Sequence, residues 1–252
     1  MRCSTAPLIE ATACRVLKLV LRNGREAHVS CSVESEGLDL LQGRLRAASV
    51  KGRGWASRLG FTARTIAVDL GNASVDVGAL FHRRAIEFRT PPPSGTAVVV
   101  FDAVDFGNFL AHKFVRRATL AGRDFMFQRG DVFVDPVTGL VEFGGRWGDE
   151  CVRVGLSQGI TGAPQRGLVA KVSRVGGRGA AAEGHSTAEG ELDALASAMG
   201  EYFNTLDLDL DGPRLRFLSL SFEGTSARDG RVKLELSIVV PKLPSVRAVS
   251  SF

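Results

Sequence analysis

The sequence predicts an α+β protein: a long, twisted antiparallel sheet curled around two or three amphipathic helices. Three observations predict it. Short segments with alternating apolar and polar residues recur along most of the chain, the turns between them are too short to join parallel neighbours, and a few other stretches repeat their apolar residues at helical spacing. Composition agrees. With 252 residues, 44% hydrophobic and 23% charged, the chain can bury a sizeable core.

Taken in order, residues 1–7 read as a disordered terminus, and a single domain is expected over 8–241. Ile9, Ala13, Val16, Leu17, Val20 and Leu21 form a helical stripe opposite Glu10, Arg15, Lys18 and Arg22, with Gly24 as the stop. Strands follow: Val29/Cys31/Val33, Ile66/Val68/Leu70, Val75/Val77 and, after Pro91–Pro93, Ala97/Val99/Phe101. A second helix is predicted from Ala103 to Val115, capped by Asp102, with Phe106, Phe109, Leu110 and Phe114 on one stripe. Phe125/Phe127, Val132/Val134, Val141 to Trp147, Val152/Val154/Leu156 and Leu168/Ala170/Val172 then read as a meander.

Residues 176–190 are small and aperiodic and read as a flexible loop. A third helix, Glu191 to Thr205, carries Leu192, Leu195, Ala196, Met199 and Phe203 on one stripe. Two long strands follow: Leu218/Leu220/Phe222, and Arg231 to Pro241 with Val232, Leu234, Leu236, Ile238 and Val240 on one face. Residues 242–252 form a tail.

Several chemistries are suggested only to be set aside. Gly155-Leu156-Ser157-Gln158-Gly159 matches a nucleophile elbow, but Ile160 to Pro164 cannot open the helix that such a serine needs. Asp207, Asp209, Asp211 and Gly212 copy half of a calcium loop, yet Leu218 stands where a bidentate glutamate belongs. Cys3, Cys14, Cys31 and Cys151 are scattered, as are His28, His82, His112 and His185, so no metal or other cofactor is expected. No apolar run approaches the ~20 residues that cross a bilayer, and no secretory leader is visible.

Lysine and arginine outnumber aspartate and glutamate by 32 to 27, an excess that suits an anionic partner. Arg44, Arg46, Lys51 and Arg53 alternate along one segment, and Arg83, Arg84, Lys113, Arg116 and Arg117 make further basic spots. Phenylalanine supplies 15 of the aromatics, against one tyrosine and two tryptophans, so base-stacking platforms are not indicated and no nucleic-acid partner is expected.

The stretch Val33-Glu34-Ser35-Glu36-Gly37-Leu38-Asp39-Leu40-Leu41-Gln42-Gly43-Arg44-Leu45, followed by Val50-Lys51-Gly52-Arg53-Gly54, resembles the opening of the LmeA-like phospholipid-binding family. Val68-Asp69-Leu70 into Val75-Asp76-Val77, Phe101 to Phe106 with Gly107 in place of the family's asparagine, and the ending Leu206-Asp207-Leu208 to Pro241 extend the likeness over most of the chain. The resemblance implies lipid binding at a membrane and a sheet-around-helix fold akin to half of a tubular lipid-binding module. Its photosynthetic members suggest a plastid, or another intracellular membrane surface.

The expectation is therefore non-catalytic binding or carriage of phospholipid. Leu195, Met199, Phe203, Leu234, Leu236 and Ile238 would line an apolar groove for acyl chains, and Arg83, Arg84, Lys113, Arg116 and Arg117 would meet headgroups at a membrane surface. The alternative is a membrane-peripheral adaptor or scaffold with a solid core, its first helix lying on the bilayer.

Overall fold

The structure, a computed structural model, describes residues 28–35, 42–57, 60–74, 88–89, 91–115, 117–159, 167–175, 185–209 and 212–241, together with Cys14 and Asp39. The expected disordered start (1–7), the Val75/Val77 strand, residues 176–184 of the expected loop, and the tail (242–252) lie outside the described residues. So does the expected first helix apart from Cys14. That residue is helical, and its thiol donates to the Val29 carbonyl at 3.8 Å.

Strands dominate. They are β1 (His28–Glu34), β2 (Arg44–Leu45), β3 (Ala47–Ala56), β4 (Thr62–Leu70), β5 (Ala73–Ser74), β6 (Ser94–Phe101), β7 (Arg117–Leu120), β8 (Arg123–Phe127), β9 (Phe133–Asp135), β10 (Leu140–Trp147), β11 (Glu150–Gln158), β12 (Leu168–Arg174), β13 (Asp207–Asp209), β14 (Arg214–Glu223) and β15 (Arg231–Val239). Two helices described over their full length accompany them, α1 (Ala103–Leu110) and α2 (His185–Asn204). The antiparallel, sheet-rich α+β class is as the alternation predicts. No helix among the described residues is long and apolar enough to cross a membrane.

The chain divides into two compact units. The first comprises Met1–Val99, Asp207–Arg216 and Glu235–Phe252. It carries the sheet of order β1-β3-β4-β6-β15-β14-β13, in which β6, β14 and β15 continue along the chain into the second unit. Register here is exact: His28 faces Arg53, Ser30 faces Lys51 and Cys31 faces Val50, while Lys51 faces Ala67 and Val50 faces Val68. Paired residues share a face, so Val29, Cys31, Val33, Val50, Ile66, Val68 and Leu70 fall on one side. They are half-buried, and within β1, β3 and β4 only Gly52 and Ala63 are buried outright. Gly95 is required at the start of β6, because a Cβ there would overlap the Asp69 carbonyl.

The second unit comprises Val100–Leu206 and Phe217–Leu234. Its sheet, of order β12-β11-β10-β8-β7 with β9 paired to β10, is the predicted meander. Helix α1 starts where expected: Asp102 is the N-cap and accepts from the Asp105 amide at 2.8 Å. Gly107 lets the helix approach the chain at Arg129, whose carbonyl a Cβ would strike, and the Arg129 guanidinium donates to Asn108 Oδ1 at 2.5 Å.

Helix α2 begins at His185, inside the stretch read as a loop, and corrects that expectation. Ala188, Glu189 and Glu191 are good helix formers, and their propensity extends the helix beyond the apolar stripe used to predict its start. At its other end the Asn204 amide acts as a short piece of strand. It accepts from the Leu168 amide at 2.8 Å and donates to the Leu168 carbonyl at 3.1 Å, fastening α2 to the start of β12.

Phenylalanines fill the centre of this unit. Phe127, Phe143 and Phe203 form a triangle with ring centroids 5.7 to 6.0 Å apart. Phe125 joins at Phe127, and Phe106 links Phe143 to Phe101 and Phe109. Gly145 makes the room: a Cβ there would overlap the Phe125 ring. Tilted and edge-to-face geometries dominate, as expected for rings whose edges are positive and faces negative.

Candidate functional site

Helix α1 ends at Leu110 and not at Val115, and the difference exposes a surface. The Ala111 amide still reaches the Gly107 carbonyl, but His112 donates to Phe109 and Val115 to His112, three residues back, so the chain tightens into turns. The rotation moves Val115, not Phe114, into the interior. Phe106, Phe109, Leu110 and Val115 are buried, whereas Phe114 is 39% exposed. The predicted stripe of three phenylalanines and a leucine therefore loses its last member to solvent.

One cation stands at that ring and another follows in the chain. Lys113 is exposed, with its Nζ 5.1 Å from the Phe114 ring centroid. Arg117 is exposed at the start of β7, paired through its backbone with Met126. The turn is anchored from below by Tyr202, whose hydroxyl donates to the Val115 carbonyl at 3.2 Å; burial pushes the phenol pKa up to about 12. The turn thus presents an exposed aromatic ring with the Lys113 ammonium over it, an amphipathic surface. Of the other expected headgroup residues, Arg83, Arg84 and Arg116 lie outside the described residues.

The expected groove residues are all buried. Leu195, Met199, Phe203 and Leu234 belong to the second unit, Leu236 and Ile238 to the first. Phe203 packs against Phe127, Phe143 and Tyr202, which are core contacts in the second unit. Strand β15 alternates as predicted, with Val232, Leu234, Leu236 and Ile238 buried. Strand β14 does not: Phe217 and Leu220 are buried and Leu218 is 51% exposed.

Ser157 lies within extended β11, paired with Leu140 and Val169, and forms no sharp strand-to-helix elbow. Asp207 and Asp209 lie on β13 and pair with Arg216 and Arg214, each at 3.5 Å. Among the described residues no cluster of histidine, cysteine, aspartate or glutamate could hold a metal ion. Asp229 accepts from the Ser226 hydroxyl and from the Thr225 and Ser226 amides; these bonds hold its carboxyl well below the usual range and close the β14–β15 turn.

Charges are treated differently along the chain. In the second unit Arg123 and Arg174 share Glu150 and Glu191, and Arg153 pairs with Asp131 and Glu142. On β3, Lys51 and Arg53 are exposed and, among the described residues, take part in no ion pair. Comparison with models of known protein families, with curated proteins and with solved structures finds no match.

Proposed function

We propose that this chain is a non-catalytic phospholipid-binding protein that works at the surface of an anionic membrane. The observation that carries the reading is the turn after α1, where Phe114 is 39% exposed with the exposed Lys113 beside its ring and the exposed Arg117 three residues further along the chain. Each cation brought to an anionic leaflet contributes about 1 kcal/mol, and the buried ring adds to that. No covalent step is involved.

Co-sedimentation of the full chain with vesicles tests this. Binding is expected to vesicles of phosphatidylcholine mixed with phosphatidylglycerol and not to phosphatidylcholine alone. Lys113→Ala should weaken it about 5-fold, and Phe114→Ser should weaken it further. Equal binding by wild type and a Phe114→Ser, Lys113→Ala, Arg117→Ala triple variant overturns the proposal.

A solid-core adaptor is the second reading, favoured by the ring packing around Phe203. Native mass spectrometry separates the two versions. Co-purified phospholipid supports carriage of an acyl chain, and its absence together with vesicle binding leaves a surface adaptor.

A further inference from the structure

Strand register in the first unit brings together polar side chains that are far apart in sequence. His28 faces Arg53 and Ser30 faces Lys51, so all four side chains project from one face of the β1–β3 pair. All four are exposed. Directly paired residues lie ~5 Å apart and alternate residues on a strand ~7 Å apart, which places the Lys51 ammonium, the Arg53 guanidinium and the His28 imidazole within reach of one small anion.

What surrounds them fits a phosphate. The neighbouring positions on β4 are Thr65 and Ala67, small enough for close approach. The charged groups facing the same side are Asp69, opposite Ser49, and Glu34 at the far end of β1, so the face is cationic at one end and acidic at the other. The ring of Trp55 lies over Gly52, on the opposite side from Lys51 and Arg53, and β1, β3 and β4 carry no other aromatic that could stack a base.

We propose that His28, Ser30, Lys51 and Arg53 form a binding site for a phosphomonoester. A dianion matches two fixed positive charges better than a singly charged diester does, and the guanidinium supplies paired N–H donors for its oxygens. The site stands independently of the Phe114 turn, on different strands and in the other unit.

The test uses the full chain with two probes: phosphatidylcholine vesicles doped with phosphatidic acid, and soluble glycerol 3-phosphate followed by calorimetry. Lys51→Ala should weaken binding about 5-fold, and the Lys51→Ala, Arg53→Ala pair about 25-fold. Loss in the pair variant on the vesicles alone identifies a lipid headgroup; loss on glycerol 3-phosphate as well identifies a soluble phosphate. No binding of either probe by wild type, or wild-type affinity in the pair variant, overturns the site. The Phe114→Ser variant keeps its glycerol 3-phosphate affinity if the two surfaces are separate, so either proposal can fail without the other. Both substituted side chains are exposed, and circular dichroism confirms that each variant folds.

Discussion

The aromatic core of the second unit and strands β1, β3 and β4 of the first use their side chains in opposite ways. In the second, phenylalanines from α1, β6, β8, β10 and α2 touch one another in an unbroken chain, and its arginines on β8, β11 and β12 are tied into carboxylate networks. In the first, strands β1, β3 and β4 carry half-buried Val29, Val33, Val50 and Val68 on one side and, on the other, Lys51 and Arg53, which take part in no ion pair among the described residues. The lesson is a division of labour: apolar burial and charge pairing are spent on rigidity in one place, and charge is left available in the other.

The largest expected effect breaks or confirms that contrast directly. Phe143→Ala removes a ring that touches Phe106, Phe127 and Phe203, and should destabilise by ~3–5 kcal/mol. Val68→Ala on half-buried β4 should cost only about 1 kcal/mol. Urea titration of both variants checks the pair; similar losses would mean that the first unit is packed as tightly as the second.

Gly145→Ala is the next step down. Its added methyl must displace the Phe125 ring, at about 1–3 kcal/mol. Near-ultraviolet circular dichroism should register the shifted aromatic packing, and an unchanged spectrum with unchanged stability would show spare room around that ring.

The smallest effect appears in alkali. The Tyr202 phenol is raised in the folded chain, so its contribution is complete below the unfolded value of about 10 and is lost as pH rises through about 12. Thermal melts between those pH values should fall faster for wild type than for Tyr202→Phe. Parallel curves would place the phenol in solvent.

Much of this was legible beforehand, for physical reasons that differ by element. The alternation in β10, β11 and β15 is a period-two signal written in large apolar residues, and the structure follows it. Strand β7, Arg-Ala-Thr-Leu, has too few apolar residues to announce itself and is held by its pairing to β8. The Asp102 cap was readable, but not the end of α1, because the stripe through Phe114 continues past the point where three-residue turns take over. The basic residues of the candidate sites were visible as single letters. That Phe114 faces outward among them, and that His28 stands across from Arg53, depends on helix termination and strand register, which no local pattern encodes.

Strands β6, β14 and β15 each cross a unit boundary, so the polypeptide leaves and re-enters both halves several times. Neither half exists as a continuous piece of gene. A truncation aimed at isolating the half that carries β1, β3 and β4 would sever strands whose residues also belong to the aromatic half, and the two must be made, folded and inherited as one object. Segments distant in the polypeptide have to meet before either half can close, which predisposes the chain to slow folding.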